Sequence, residues 1–212
     1  MNSKVRVSSQ EQIQISPQLI PAYFVFKRSM DIIISFIMLL LLSPILVLLC
    51  ILIPIDSAGA PFFRQDRLGK NGKSFKVIKL RSMGLDAEKN GPKWASKEDA
   101  RVTKVGAFLR RTRFDEVPQF LNVLKGEMSL IGPRPEREYF YKEFDKSLPN
   151  FKRRLLVKPG LTGWAQVNGG YDLTPEEKLT FDLYYIQHRS ISMDIKILLL
   201  TLAIIFSGNG AR

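Results

Sequence analysis

Two adjacent carboxylates, Asp115 and Glu116, are the side chains best suited to chemistry in this sequence. Successive residues of a helix point about 100° apart, so two such carboxylates can divide labour, one facing a reacting phosphorus and the other a metal ion. Acidic residues also favour helix N-termini for electrostatic reasons, which leaves a structural role open. Arg110, Arg111 and Arg113 precede the pair, and such neighbours favour ionised carboxylates. The pattern predicts a nucleophile or a metal ligand.

Cations on other segments suggest what these carboxylates would act on. Lys79 and Arg81 alternate along a predicted strand, which places both on one face. Arg134 lies between two prolines, so a rigid backbone presents a guanidinium that suits phosphate oxygens. Each of these side chains alone is typical of a protein surface. Together with Arg110 they predict a site for a phosphate-rich substrate.

The composition restricts the kind of metal site. The chain has 212 residues, with 32 Lys and Arg against 20 Asp and Glu, one Cys and one His. A single Cys excludes an intrachain disulfide, and one Cys with one His excludes a zinc site built from clusters of these residues. Any metal must therefore have oxygen ligands. The net charge of +12 also fits a second hypothesis, a non-catalytic, membrane-anchored basic module that binds nucleic acid or anionic lipid.

An uncharged apolar run at residues 32–55 is long enough to cross a bilayer, which takes about 20 residues of helix. Ser43 and Pro44 interrupt this run, and proline disfavours helix at and before its own position, which predicts two shorter arms. Basic residues flank both ends, whereas a spanning helix usually has excess Lys and Arg on one side only. These features favour a re-entrant hairpin with both ends in the cytoplasm, and a kinked single span is the alternative.

Two acidic residues lie next to or within apolar segments. Asp31 follows Lys27 and Arg28 by four and three residues, spacings at which helical side chains can pair. Asp194 lies in the second apolar stretch, residues 191–206, which we expect to form an interfacial or buried helix. An ionisable residue there is costly and indicates function, although a structural ion pair would also explain it.

Local patterns predict the remaining elements. Runs rich in Phe, Val and Ile at 61–67 and 73–81, joined through Asn71 and Gly72, predict a β-hairpin. Residues 84–100 and the segments around the Gly-Pro-Arg-Pro and Lys-Pro-Gly motifs are expected to be loops. Helices are predicted at 102–111, 116–125, 136–156 and 175–188. The segment 136–156 is an amphipathic helix or pair of helices, which suits either a membrane surface or the cover of a soluble core. The fold class is therefore α+β and mainly helical, with a re-entrant membrane helix hairpin, a small β-hairpin and surface amphipathic helices.

Six motifs in this chain resemble one known family. They are KRSMD at 27–31, SP at 43–44, KLRSM at 79–83, FDEVPQFLN at 114–122, KGEMSLIGPRP at 125–135 and KPGLTGWAQVNG at 158–169. Together they resemble the bacterial sugar transferases, small monotopic phosphoglycosyl transferases that start glycoconjugate or polysaccharide synthesis on polyprenol phosphate. The resemblance extends from about residue 24 to 206.

The resemblance implies an architecture at the cytoplasmic face of the inner membrane. A re-entrant helix would bend at Ser43-Pro44 inside one leaflet, with Arg28 and Asp31 fixing its cytoplasmic base. The chain lacks the additional membrane-spanning N-terminal region of larger members, so it is expected to be a minimal catalytic unit. The expected divisions are a tail at 1–23, the membrane helix at 24–56, a cytoplasmic catalytic domain at 57–190 and an interfacial helix at 191–212.

The resemblance also implies a reaction. Asp115 would attack the β-phosphate of a UDP-sugar, expel UMP and hold the sugar phosphate covalently, before polyprenol phosphate takes it. Glu116 would bind Mg²⁺, Asp194 would match an acidic residue near the family's site, and membrane lipids would surround the anchor. No nucleic acid partner is expected, and a homo-oligomer stays open. The cations expected to neutralise the phosphates are Lys79, Arg81, Arg110 and Arg134.

Overall fold

The computed structural model describes residues 21–89, 91 and 99–207. The expectations for 1–20, 90, 92–98 and 208–212 lie outside the described residues. The helices are α1 (Pro21–Asp56), α2 (Lys104–Thr112), α3 (Phe120–Lys125), α4 (Glu138–Phe144), α5 (Trp164–Val167), α6 (Pro175–His188) and α7 (Ile191–Ser207). The strands are β1 (Phe62–Leu68), β2 (Ser74–Leu80), β3 (Ser129–Ile131) and β4 (Gly160–Thr162). Short 3-10 helices cover Lys70–Gly72, Phe114–Gln119, Phe151–Leu156 and Gly170–Asp172. The predicted mainly helical α+β class is confirmed.

Helix α1 continues without interruption through Ser43 and Pro44, where the sequence predicts a break. Pro44 has no N–H to donate to Leu40 O, the regular helical acceptor four residues earlier. Ser43 Oγ donates to that oxygen instead, at 2.8 Å. Such substitute hydrogen bonds keep prolines inside apolar helices. Among the described residues, α1 is the one helix long and apolar enough to cross a membrane by length and composition.

The N-terminal part of α1 is fixed to the rest of the chain by polar contacts. Arg28 Nη1 and Nη2 donate to carbonyls in the last turn of α3, at 2.7 Å each. Asp31 accepts from Leu130 N at 2.9 Å and from Ser129 Oγ at 3.1 Å. The predicted pairing of Asp31 with Lys27 or Arg28 is therefore wrong. Arg28 bonds to α3 and Asp31 to β3, while Lys27 bonds to Tyr185 and Asp194.

The C-terminal part of α1 packs on the same domain. Asp56 Oδ2 accepts from Val105 N, at the start of α2, at 2.9 Å. Between the two anchored ends, none of residues 36–48 is buried. The apolar cluster at the C-terminal end consists of Leu49, Ile53, Leu80 and Leu109.

The predicted β-hairpin is confirmed. Strands β1 and β2 are antiparallel, and Asn71 and Gly72 take positive φ values of 58° and 77° in the turn. In β2, Phe75, Val77 and Lys79 are alternate residues and therefore share one face. Phe75 and Val77 are buried in the main core, so this row leads from the core to Lys79. That core contains Phe75, Val77, Val123, Met128, Leu130, Ile131, Tyr185, Ile186 and Ile197.

A second pair of strands lies where the sequence predicts loops. Strands β3 and β4 are parallel, with Ser129 opposite Gly160 and Ile131 opposite Thr162. Position 160 requires glycine where the two strands approach each other, because a Cβ there would lie 2.1 Å from the nitrogen of Gly132. The pair brings the Gly-Pro-Arg-Pro and Lys-Pro-Gly motifs side by side.

Candidate active site

The two carboxylates predicted to do chemistry lie in the 3-10 helix Phe114–Gln119. Arg113 ends α2 and precedes this helix with a left-handed backbone, at φ 60°. The predicted helix over 116–125 thus begins as a tighter turn and continues as α3, which Gly126 ends at φ 80° as expected. The sharp reversal at Arg113 places Asp115 and Glu116 opposite β2.

Glu116 is held by two cations from other segments. Lys79 Nζ lies 3.1 Å from Glu116 Oε1. Arg134 donates from both terminal nitrogens, with Nη1 3.4 Å from Oε2 and Nη2 closer still to Oε1. Burial opposes ionisation, but the charges of Arg134 and Lys79 outweigh it and lower the pKa of Glu116. Glu116 is therefore a carboxylate at neutral pH.

Asp115 is more deeply buried, with 8% of its surface exposed. Burial raises the pKa of Asp115, and the adjacent Glu116 charge adds to the rise, while Lys79, Arg134 and Arg110 oppose it. The sequence predicts that basic neighbours keep both acids ionised. Glu116 is kept ionised by Lys79 and Arg134 rather than by the arginines next to it in the sequence. At Asp115 burial outweighs the cations and raises the pKa to about 6, which still leaves a carboxylate at neutral pH.

Two of the predicted phosphate-binding cations bond elsewhere. Arg110 Nε donates to Ser82 Oγ at 3.0 Å, yet Arg110 is close enough to influence Asp115 electrostatically. Arg81 is buried, and its guanidinium faces the chain just after α1. It donates to the carbonyl oxygens of Ser57, Ala58 at 2.9 Å and Gly59 at 3.2 Å. Lys79 and Arg81 alternate at the end of β2, as the sequence predicts, but of the two it is Lys79 that contacts Glu116.

Asp194 is buried at the base of α1. It accepts from Tyr23 OH at 3.0 Å, from Lys27 Nζ at 2.9 Å and from Tyr185 OH at 2.8 Å. In the part of the chain that the structure describes, its side-chain hydrogen bonds thus lead to α1 and α6 rather than to Asp115. The structure brings Asp115, Glu116, Lys79 and Arg134 together, with Arg110 nearby, and places Asp194 in a separate polar cluster.

Sequence reasoning missed the partners of this polar cluster and a second buried ion pair. Lys27 and Asp194 are 167 residues apart, and no local pattern links them. Arg154 Nε donates to Asp182 Oδ2 at 2.7 Å, with the two side chains only 2% and 1% exposed. Arg154 lies on the segment predicted to be amphipathic and Asp182 on the predicted helix at 175–188, where charged residues are normally expected to face solvent.

Comparison with known proteins identifies the family. The family description "Bacterial sugar transferase" matches residues 22–208, nearly the whole chain. The chain belongs to this family. The predicted resemblance is confirmed, and the alternative of a non-catalytic basic module finds no support.

Relatives of this bacterial sugar transferase carry names that specify a reaction. An Aeromonas hydrophila protein named UDP-N-acetylgalactosamine-undecaprenyl-phosphate N-acetylgalactosaminephosphotransferase is 40% identical over 100% of this chain and 51% of its own length. The Escherichia coli K12 UDP-glucose:undecaprenyl-phosphate glucose-1-phosphate transferase is 44% identical over 82% of this chain and 39% of its own. The Komagataeibacter xylinus undecaprenyl-phosphate glucose phosphotransferase is 41% identical over 83% and 35%. The chain spans about half the length of these relatives or less.

The donor set of this bacterial sugar transferase fits a magnesium ion shared with a substrate. No group of three or more His, Cys, Asp and Glu side chains able to hold a metal occurs within the described residues. Mg²⁺ is usually bound by one or two carboxylates, with substrate phosphates and water completing the shell. Glu116 offers carboxylate oxygens of this kind, and Lys79 and Arg134, which now pair with it, are cations of the kind that bind phosphate.

Proposed function

We propose that this chain transfers a sugar-1-phosphate from a UDP-sugar to polyprenol phosphate. The observation that carries the proposal is the convergence of Lys79 and Arg134 on Glu116, directly beside the buried Asp115. A buried acid next to a carboxylate that already binds two phosphate-compatible cations is suited to phosphoryl transfer. The names of the relatives support the same chemistry.

In the first step, a carboxylate oxygen of Asp115 forms a bond to the β-phosphorus of the UDP-sugar. The bond from this phosphorus to the bridging oxygen breaks, and UMP leaves with the electron pair. In the second step, an oxygen of polyprenol phosphate attacks the same phosphorus and restores the Asp115 carboxylate. Covalent catalysis thus divides one displacement between two anions into two separately positioned steps.

The cations provide the electrostatic part of the mechanism. When a diphosphate enters, Lys79 and Arg134 gain phosphate oxygens as partners and loosen their hold on Glu116. Glu116 would then be the residue that holds Mg²⁺. A bound Mg²⁺ would neutralise charge that develops on the phosphates. Arg110 faces the same region and would add to the positive potential around Asp115.

We also propose that α1 is a re-entrant membrane helix. Its two ends are held by one domain, at Asp31 and at Asp56, while none of residues 36–48 is buried. An apolar segment that leaves and rejoins the same domain suits a bend at Pro44, since prolines are a usual cause of sharp kinks. The exposed apolar face of α7 would lie at the same bilayer surface, and in this proposal the site faces the cytoplasmic side of the inner membrane.

The decisive experiment uses protein purified in detergent, with Mg²⁺, polyprenol phosphate and a panel of UDP-sugars. We expect UMP release with one or a few of these sugars. Asp115→Asn should reduce this release by at least about 10³-fold, as expected for loss of a nucleophile. Labelled sugar phosphate should become attached to the protein when polyprenol phosphate is omitted.

Asp145→Asn is a matched control, because Asp145 is exposed and its ion pair within the described residues is with a surface lysine, Lys152. This variant should keep parental activity. Absence of UMP release with every UDP-sugar, or full activity of Asp115→Asn, would overturn the proposal.

A further inference from the structure

The loop that carries Arg134 is held at four consecutive carbonyls. It contains two prolines, which have no N–H, so its backbone depends on its carbonyl oxygens for fixation. Four consecutive carbonyls each accept one hydrogen bond from another segment: Pro133 O from Gly160 N at 2.9 Å, Arg134 O from Arg154 Nη2 at 3.0 Å, Pro135 O from Arg67 Nη1 at 3.0 Å and Glu136 O from Leu68 N at 3.1 Å.

Among these donors, Arg154 is the buried charged side chain. Its Nε is bound to Asp182 Oδ2 at 2.7 Å, so one edge of the guanidinium holds α6 while Nη2 reaches the carbonyl of Arg134. The guanidinium carbon lies 4.9 Å from the ring centre of Phe151 and 5.9 Å from that of Tyr141. The position of Arg154 is therefore fixed by an ion pair and by aromatic rings, independently of its contact with the loop.

We infer that Arg154, held by Asp182, is a positioning residue that sets the place of Arg134 in the active site. The inference rests on the proposed function, in which Arg134 binds the diphosphate of the sugar nucleotide. The hydrogen bond from Arg154 fixes the main chain at Arg134, and this sets the position of the Arg134 Cα. The Arg134 side chain extends from there to Glu116. Orientation of this kind contributes to rate because small displacements of a binding group are costly.

Arg154→Lys tests this role. A lysine ammonium can still pair with Asp182, but it lacks the planar fork needed to hold Asp182 and the Arg134 carbonyl together. We expect kcat/KM for the UDP-sugar to fall by about 10- to 100-fold. Arg153→Lys is the matched control, with the same substitution one residue earlier on the same 3-10 helix, and should change kcat/KM little.

A double-variant cycle separates positioning from general loss of structure. If Arg154 acts through Arg134, then Arg154→Lys should change kcat/KM by no more than about twofold in an Arg134→Lys background, since the effects of coupled residues do not add. Multiplicative effects of the two substitutions would overturn the inference while leaving the proposed function intact. Absence of UMP release by the parent protein with any UDP-sugar would overturn the proposed function and the inference with it.

Asp182→Asn provides an independent variant if Arg154→Lys does not fold. Asparagine keeps an oxygen acceptor for Arg154 Nε but removes the charge, so it should weaken the hold on Arg154 and lower kcat/KM in the same direction. This loss should also disappear in the Arg134→Lys background. A loss that persists there would overturn the inference.

Discussion

Glu116 and Asp115 are neighbours with opposite pKa shifts, and the cause lies in which of them the cations reach. Lys79 and Arg134 both bind the Glu116 carboxylate, so its charge is compensated despite burial. Asp115 feels the same cations only at longer range, and burial raises its pKa. A carboxylate with a raised pKa is more basic and hence a stronger nucleophile, while the compensated one is suited to holding a cation. The proposed division of labour thus has a basis in which carboxylate the cations contact.

Arg81 shows that a cation in a family motif can serve the fold. Its guanidinium donates to three successive carbonyls that follow α1, where a helix end leaves acceptors unsatisfied. We expect Arg81→Gln to lower the free energy of unfolding by about 1.5–3 kcal/mol, the range for buried hydrogen bonds to charged groups. The KM for the UDP-sugar should remain close to the parental value. Thermal unfolding in detergent and steady-state UMP release measure the two effects.

Arg111→Gln is the control for this substitution, because Arg111 lies on the exposed side of α2. It should leave stability unchanged. A raised KM with parental stability in Arg81→Gln would instead assign Arg81 to the substrate phosphates, as the sequence predicts.

Elements whose signals are local were predictable, and those made by distant contacts were not. The β-hairpin follows from Asn71 and Gly72 between two alternating runs, and α6 begins at the expected proline because Thr174 caps it. Strands β3 and β4 are three residues each and contain or adjoin glycines, so they carry no recognisable strand pattern. In the site, the carboxylate pair and Arg134 were found from type and spacing. The Arg81 guanidinium points to the carbonyls that follow α1. No local sequence pattern shows that these carbonyls lie next to Arg81.

The polar cluster around Asp194 joins three elements, α1, α6 and α7. Asp194→Asn removes the charge that pairs with Lys27, and we expect it to lower the free energy of unfolding by about 3 kcal/mol, because an almost buried ammonium loses its counter-ion. Lys27→Met combined with Asp194→Asn should recover part of this loss, since no unpaired charge then remains. Thermal unfolding of the single and double variants measures the coupling.

The UMP-release activity of the double variant distinguishes a structural role of Asp194 from a role in the reaction itself. If Asp194 serves mainly to hold α1, the double variant should regain activity together with stability. Activity that stays absent in a stable double variant would show that Asp194 acts in the reaction itself.

The whole molecule combines an apolar helix, whose two ends are both held by one domain, with basic residues around both of these ends. Arg28 and Lys27 lie at one end, and Arg64 and Arg67 follow the other. Anionic headgroups on the cytoplasmic leaflet attract such residues, at about 1 kcal/mol for each cation near the surface. A single span would place one basic cluster on the opposite side of the membrane and separate the two anchored ends of α1. The basic residues therefore favour an arrangement in which both ends of α1 lie on the same side of the membrane.

Cysteine labelling in membranes tests this arrangement. Ala22→Cys and Lys70→Cys, each in a Cys50→Ser background, place one thiol at an exposed position before the apolar run and one in the β-hairpin turn. If α1 is re-entrant, an impermeant thiol reagent should label both positions in inside-out vesicles and neither in right-side-out vesicles, with labelling of detergent-solubilised protein as the measure of full reactivity. Labelling of the two positions from opposite sides would show that α1 spans the bilayer. Asp115, Glu116, Lys79 and Arg134 lie outside α1, so that outcome would not by itself exclude the proposed chemistry. It would require the N-terminal contacts of α1 with α3, β3, α6 and α7 to break in the membrane.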